Sequence, residues 1–204
     1  MFDSERPQVY EDVYAGLVKR LAAADLPAHA RDLGLAWRED AALVPLLGRE
    51  YLVGKRGVTA ADGGEPAFTH RIMLAHYLLH GGRGEAAGRF VPYRELPGGA
   101  DFARNMALTV EGRLAKSFSG RLPQLTAASE SLGGSPAATQ ARVDLAQAFP
   151  ALPGLPLMIT FNDADEDFPA EAKLFYDLTA PNFLDLECLA VLGLILVLEL
   201  EAAA

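Results

Sequence analysis

The sequence predicts an α+β fold: small antiparallel sheets packed with several helices, with a strongly apolar helix at the C-terminus. Three observations predict it. Helical and short strand-like segments are mixed along the 204 residues without regular β-α-β alternation. Half of the residues are hydrophobic and only 22% are charged, which suits a packed core and argues against disorder. The most apolar run, Leu189–Leu198, is bracketed by Glu187 and Glu199 and is ten residues long. A membrane span needs about 20, so the run reads as a buried helix or an oligomer contact. The length fits a single domain, 1–204.

Taken in order, Pro7 to Asp25 reads as an amphipathic helix with Val9, Val13, Leu17, Leu21 and Ala24 on one stripe. Asp25-Leu26-Pro27 stops it, because proline disfavours the helical state of the residue before it. A short helix over Ala28–Leu33 ends at Gly34. Leu43–Leu47, Glu50–Val53 and Gly57–Thr59 are short, apolar or β-branched runs separated by glycine, and read as antiparallel strands. Asp62-Gly63-Gly64 is a turn. A helix over Ala67–His80 carries Phe68, Ile72, Ala75, His76 and Leu79, and stops at Gly81-Gly82.

Arg89–Arg94 reads as a short strand. Pro97-Gly98-Gly99 leads into a helix over Ala100–Phe118, with Phe102, Met106, Val110, Leu114 and Phe118 on one stripe. A further helix covers Pro123–Leu132, and Ser131–Ala138 is the best candidate for a mobile loop. Strands follow at Val143–Ala148, Leu155–Phe161 and Lys173–Leu178. Asn162 is read as a cap of the last helix, with Asp185 in its first turn.

The net charge of −9 argues against nucleic-acid binding, because an acidic chain repels phosphate backbones. The charge is uneven. From Arg83 to Arg121 seven bases face four acids, whereas from Thr160 onward ten acids face one base. Either the halves complement each other, or the middle segment carries an anion-binding patch. The single cysteine, Cys188, excludes an internal disulfide and any multi-cysteine zinc or iron–sulfur site. Its apolar surroundings make it a core thiol of low reactivity. MFDSERPQ lacks the pattern of a secretory leader. A cytoplasmic protein with no membrane span is expected, and no cofactor is specified.

Three sets of residues are candidates for chemistry. His76 and His80 share a helix face at a spacing that suits a metal, but Tyr77 stands where a zincin has glutamate, and His70 is the only further histidine on that helix. Asp163, Asp165 and Asp167 alternate like the start of a calcium loop. That pattern fails at Phe168 and Leu174, which occupy the places of its glycine and its bidentate glutamate. Arg89, Tyr93, Arg94 and Arg104 surround Gly98-Gly99 at a helix start, where backbone N–H groups and guanidinium groups would hold an anion. No phosphate-loop, dinucleotide-binding or Gly-x-Ser-x-Gly motif occurs. Trp37 stands alone with no context that makes it functional.

Several motifs in order carry a resemblance. They are His76-Tyr77-Leu78-Leu79, Gly88-Arg89-Phe90-Val91-Pro92-Tyr93-Arg94-Glu95-Leu96-Pro97-Gly98-Gly99 and Leu132-Gly133-Gly134. Further on come Asp165-Glu166-Asp167-Phe168-Pro169-Ala170, Lys173-Leu174-Phe175-Tyr176-Asp177 and Leu184-Asp185-Leu186-Glu187. Over Tyr10 to Leu200 the chain resembles the bacterial and archaeal domain-of-unknown-function family numbered 3786. It departs from the pattern at Tyr176, which separates Phe175 from Asp177. The resemblance carries over no activity. Relatives fused to an iron–sulfur domain like that of corrinoid methyl carriers imply, by association, a place near corrinoid or one-carbon metabolism.

The leading expectation is a non-catalytic binding or accessory domain for a small anionic ligand or cofactor, or for a partner protein. One alternative is a carboxylate- or metal-dependent enzyme using the Asp163–Asp167 turn. Another is a structural role in which Leu189–Leu198 makes a homo-oligomer.

Overall fold

A computed structural model of the chain describes residues 7–204, with side chains from Glu11 onward. Residues 1–6 of the stretch read for a leader, and the side chain of Val9, lie outside the described residues. Two small antiparallel sheets packed with helices make the fold α+β, as expected. The contacts of the chain, read from its sequence as one domain, divide into two compact units. One runs up to Val44 and resumes over Glu50–Arg83. The other is Pro45–Arg49 with Gly84–Ala204.

In the first unit, α1 (Pro7–Ala23) and α2 (Leu26–Asp32) precede the strands. The buried stripe of α1 is turned from the expected one. Val13 is 47% exposed, whereas Leu17 and Leu21 are buried and Tyr14 and Val18 are half-buried. Positions 14, 17, 18 and 21 form a helical face, and Tyr14 fixes it because its hydroxyl accepts from Val58 N at 2.8 Å. Asp25-Leu26-Pro27 ends α1 and also starts α2. The Asp25 carboxylate accepts from Ala28 N at 3.2 Å, and the proline occupies the first turn, where its missing N–H leaves nothing unpaired.

A four-stranded sheet follows in the order β1-β2-β3-β4, made of β1 (Ala36–Arg38), β2 (Ala41–Leu46), β3 (Arg49–Gly54) and β4 (Gly57–Ala60). The sequence reading missed β1, which pairs Trp37 with Ala42. Tyr51, Val53 and Val58 are buried, as are Met73, Leu74, Tyr77 and Leu78 of α3 (Phe68–His80). The face of α3 differs from the expected one, since Phe68, Ile72, His76 and Leu79 are only half-buried. Gly81, at φ +62, closes α3 in the left-handed conformation.

The second unit holds a five-stranded sheet in the order β5-β9-β8-β7-β6. Its strands are β5 (Phe90–Pro92), β6 (Ser135–Pro136), β7 (Leu145–Leu152), β8 (Leu155–Asn162) and β9 (Glu171–Asp177). The stretch expected as a mobile loop therefore contributes a strand: Ser135 and Pro136 pair with Ala148 and Gln147. A register shift in β7 falls between Phe149 and Leu152, around Pro150, which has no N–H for a ladder. Beside it the Ala151 carbonyl accepts from Leu47 N at 3.1 Å.

The helix expected over Ala100–Phe118 is composite. A 3-10 turn (Gly99–Phe102) leads into α4 (Ala103–Met106), a π-helical stretch (Ala107–Glu111) and α5 (Gly112–Phe118). The stripe explains this. Met106, Val110, Leu114 and Phe118 recur every four residues and are all buried. A 3.6-residue helix would rotate such a row off its face, and a wider π turn holds it in register. Phe102, on the 3-10 turn, falls off the stripe and is 51% exposed. Beyond the end of β5, Glu111 of the π stretch accepts from Leu174 N at 3.2 Å, on the edge of β9 that β5 leaves open.

Helix α6 (Leu122–Ser131) packs on β7 and on α7 (Leu186–Ala203). Asp185, and not Asn162, caps α7, accepting from Cys188 N at 2.8 Å; Asn162 ends β8. Leu189, Leu192, Gly193, Ile195, Leu196, Val197 and Leu200 are buried, so the apolar run serves the core of its own unit. Among the described residues no helix is long and apolar enough to cross a membrane.

Candidate functional site

The first unit carries a cleft of about 920 Å³. That volume suits a small-molecule site. Ala23, Ala24, Asp25 and Pro27 of the α1–α2 junction form one wall. Trp37, Arg38 and the β1–β2 turn form another, and the β3–β4 hairpin supplies the floor. The register explains which side chains face it. Leu52 pairs with Thr59 and Gly54 with Gly57, so these four share one face of the hairpin, while Tyr51, Val53 and Val58 turn into the core.

The two glycines shape the end of the floor. A Cβ on Gly54 would lie 2.8 Å from the Asp40 carbonyl. Gly57, at φ +114, leaves its Cβ space to the Tyr14 hydroxyl. The β1–β2 turn and α1 thereby close onto the hairpin.

The rim is charged and bipolar. Arg38, Lys55 and Arg56 line the cleft together with Asp25, Glu39 and Asp40, and all six are exposed. Asp25 is committed to capping α2. Among the described residues Arg38, Lys55 and Arg56 enter no ion pair, whereas Arg71, Arg83, Arg113 and Lys173 do. Glu39 sits at φ +52, a conformation that costs a side-chain-bearing residue about 1–2 kcal/mol. Such strain clusters at binding and catalytic sites.

The structure places the sequence-derived candidates elsewhere and in separate surroundings. Tyr93 is buried, its hydroxyl donating to the Leu186 carbonyl at 2.7 Å and its ring edge-on to Tyr176 at 5.6 Å. Burial, then the Asp185 and Glu187 carboxylates, push its phenol above the usual range. Gly99 is buried against the Tyr93 carbonyl with no room for a Cβ, and its N–H donates to the Leu96 carbonyl at 2.8 Å. Gly98 takes φ +80 beside Leu186. The Gly-Gly pair thus answers to packing and to the turn, and it opens a four-residue 3-10 turn in place of a long helix. Arg89, Arg94 and Arg104 are exposed.

The acidic turn is bound into the fold. Asp163 accepts from Gly120 N at 2.6 Å, and its own N–H donates to Asp144 at 2.8 Å. One oxygen of Asp165 accepts from both Asp167 N at 2.9 Å and Phe168 N at 2.7 Å. Asp167 is exposed. On α3, His80 is exposed in the last turn and His76 is half-buried, while His70 is buried with Nδ1 3.1 Å from the Tyr51 hydroxyl. Burial pushes the Cys188 thiol up to about 12, as expected of a core thiol.

The motif ending in Asp177 has a structural role. This carboxylate is fully buried at the end of β9. One oxygen accepts from Ala87 N and Thr179 N, each at 2.9 Å, and from the Thr179 hydroxyl at 2.6 Å. Burial alone would raise its pKa, but these donors and Gly88 N–H outweigh it and hold the group below the usual carboxylate range.

These features define an α+β protein of two compact units, the first bearing a bipolar cleft beside its tryptophan. The chain belongs to the family described as Domain of unknown function (DUF3786), whose model matches residues 25–199. The match starts at Asp25, short of the Tyr10 start read from the motifs. No curated protein and no solved structure matches the chain.

Proposed function

We propose that the protein is a non-catalytic binding domain that holds a small anionic molecule in the Trp37 cleft. One observation carries this reading: the cleft is lined by three exposed cations that pair with no acid among the described residues. Unpaired guanidinium and ammonium groups at a concave site are ready donors to carboxylate or phosphate. The carboxylate-enzyme alternative has less support, because Asp163 already accepts from Gly120 N and Asp165 from Asp167 N and Phe168 N.

Thermal-shift screening against phosphates, nucleotides, folates and corrinoids tests the proposal. A ligand at about a hundred times its Kd adds about 2.7 kcal/mol of stability. Thr59→Trp places a bulky ring on the cleft floor and should abolish the shift. A screen without a hit, or hits that survive Thr59→Trp, would sink the reading.

A further inference from the structure

We infer that the cleft takes a planar heterocycle bearing an anionic group, stacked on Trp37 and held at its charged end by Lys55 and Arg56; this rests on the binding reading above. Trp37 is the only tryptophan of the chain, and it is half-buried on a three-residue edge strand that lines the cleft. A half-buried indole offers ring surface to a ligand, and stacking on it tolerates any flat ring. Lys55 and Arg56 are successive residues of the β3–β4 turn and line the cleft. Together they present an ammonium and a forked guanidinium to one oxyanion. Glu39 and Asp40 stand on the β1–β2 turn next to Trp37. Their carboxylates accept hydrogen bonds, so they suit ring amino or imino donors and repel a second anionic group there. The rim therefore offers a partner to both parts of such a ligand: Lys55-Arg56 to the anion and Glu39-Asp40 to ring donors. A simple inorganic anion would use only one of these features.

The sole tryptophan makes the test direct. Its fluorescence is titrated with AMP, which has a planar ring with an amino donor and a phosphate, and in parallel with adenosine and with inorganic phosphate. AMP is expected to change the Trp37 emission saturably and to bind at least about tenfold more tightly than either fragment. Lys55→Ala/Arg56→Ala, checked for fold by circular dichroism, is expected to reduce AMP to the affinity of adenosine and to leave adenosine unchanged. Arg94→Ala/Arg104→Ala is expected to change nothing. Phosphate binding as tightly as AMP, or an emission unmoved by AMP, overturns the inference. If thermal-shift hits of another class are then still abolished by Thr59→Trp, the ligand class alone has failed and the cleft remains the site. If they survive that substitution, both readings have failed.

Discussion

Replacing Gly193 with alanine sets two effects against each other, and the structure says which wins. Alanine is a better helix former than glycine by about 1 kcal/mol, so an open site would be stabilised. Gly193, however, lies where α7 meets β9. A Cβ there would stand 2.5 Å from Leu174 Cδ2 and closer still to the Tyr176 hydroxyl. Leu174 and Tyr176 are 2% and 0% exposed, so neither can swing into solvent. Overpacking of this kind costs about 1–3 kcal/mol. Displacing Tyr176 also breaks its 3.0 Å bond to the Leu189 carbonyl, worth about 1 kcal/mol. The net expectation is a loss of about 1–3 kcal/mol. Urea denaturation followed by far-ultraviolet circular dichroism should show a lower midpoint at unchanged slope. Tyr176→Phe alone should cost about 1 kcal/mol. In the double variant the nearest clashing atom is gone, so its cost should fall short of the sum by about 1 kcal/mol. A neutral or stabilising Gly193→Ala, or strictly additive costs, would refute the close approach of α7 to β9.

Three further outcomes follow from the same geometry. Asp177→Ala strands the N–H groups of Ala87 and Thr179 and should cost about 2–4 kcal/mol, with faster hydrogen exchange at those two amides as the specific sign. Asp177 and Glu201 are both held below the usual carboxylate range, Asp177 by donors that outweigh its burial and Glu201 chiefly by the Arg113 guanidinium. A depressed folded-state pKa gives stability that is complete above the unfolded value of about 4 and is lost as pH falls through the folded value. Urea midpoints measured below pH 4 should therefore fall, and less steeply in Asp177→Asn or Arg113→Met. Asp165→Ala removes the acceptor for Asp167 N and Phe168 N and should cost about 1 kcal/mol while leaving every thermal-shift hit in place.

Much of the fold was legible because its signals are local. Gly81 stops α3, Asp62 closes its turn on Gly64 N, and the apolar C-terminal run is a largely buried helix, one of the two forms read for it. What escaped depends on partners distant in sequence. β1 is three residues long and exists by pairing with β2. The buried face of α1 is set by Tyr14 reaching Val58, not by the spacing of its valines. Ser135 and Pro136 look like loop until β7 lies beside them. The every-four-residue stripe from Met106 to Phe118 did foretell burial, but its mismatch with a 3.6-residue helix was the unread sign of the π turn. The cleft was invisible for a similar reason, since it draws on α1–α2, the β1–β2 turn and the β3–β4 hairpin. The available signal was the Lys55-Arg56 pair in a hairpin turn, which matters only once Trp37 is known to be nearby. The Gly98-Gly99 pair has two readings in the sequence, because packing against Tyr93 and Leu186 demands glycine as strongly as an anion would.

The most direct test of the account is a map of amide chemical shifts in the nitrogen-15-labelled protein as the strongest thermal-shift ligand is added. The binding reading predicts that the Trp37 indole and the amides of Gly54, Gly57 and Thr59 move first and furthest. Shifts centred on Gly98, Gly99 and Arg104, with Trp37 unmoved, would contradict it.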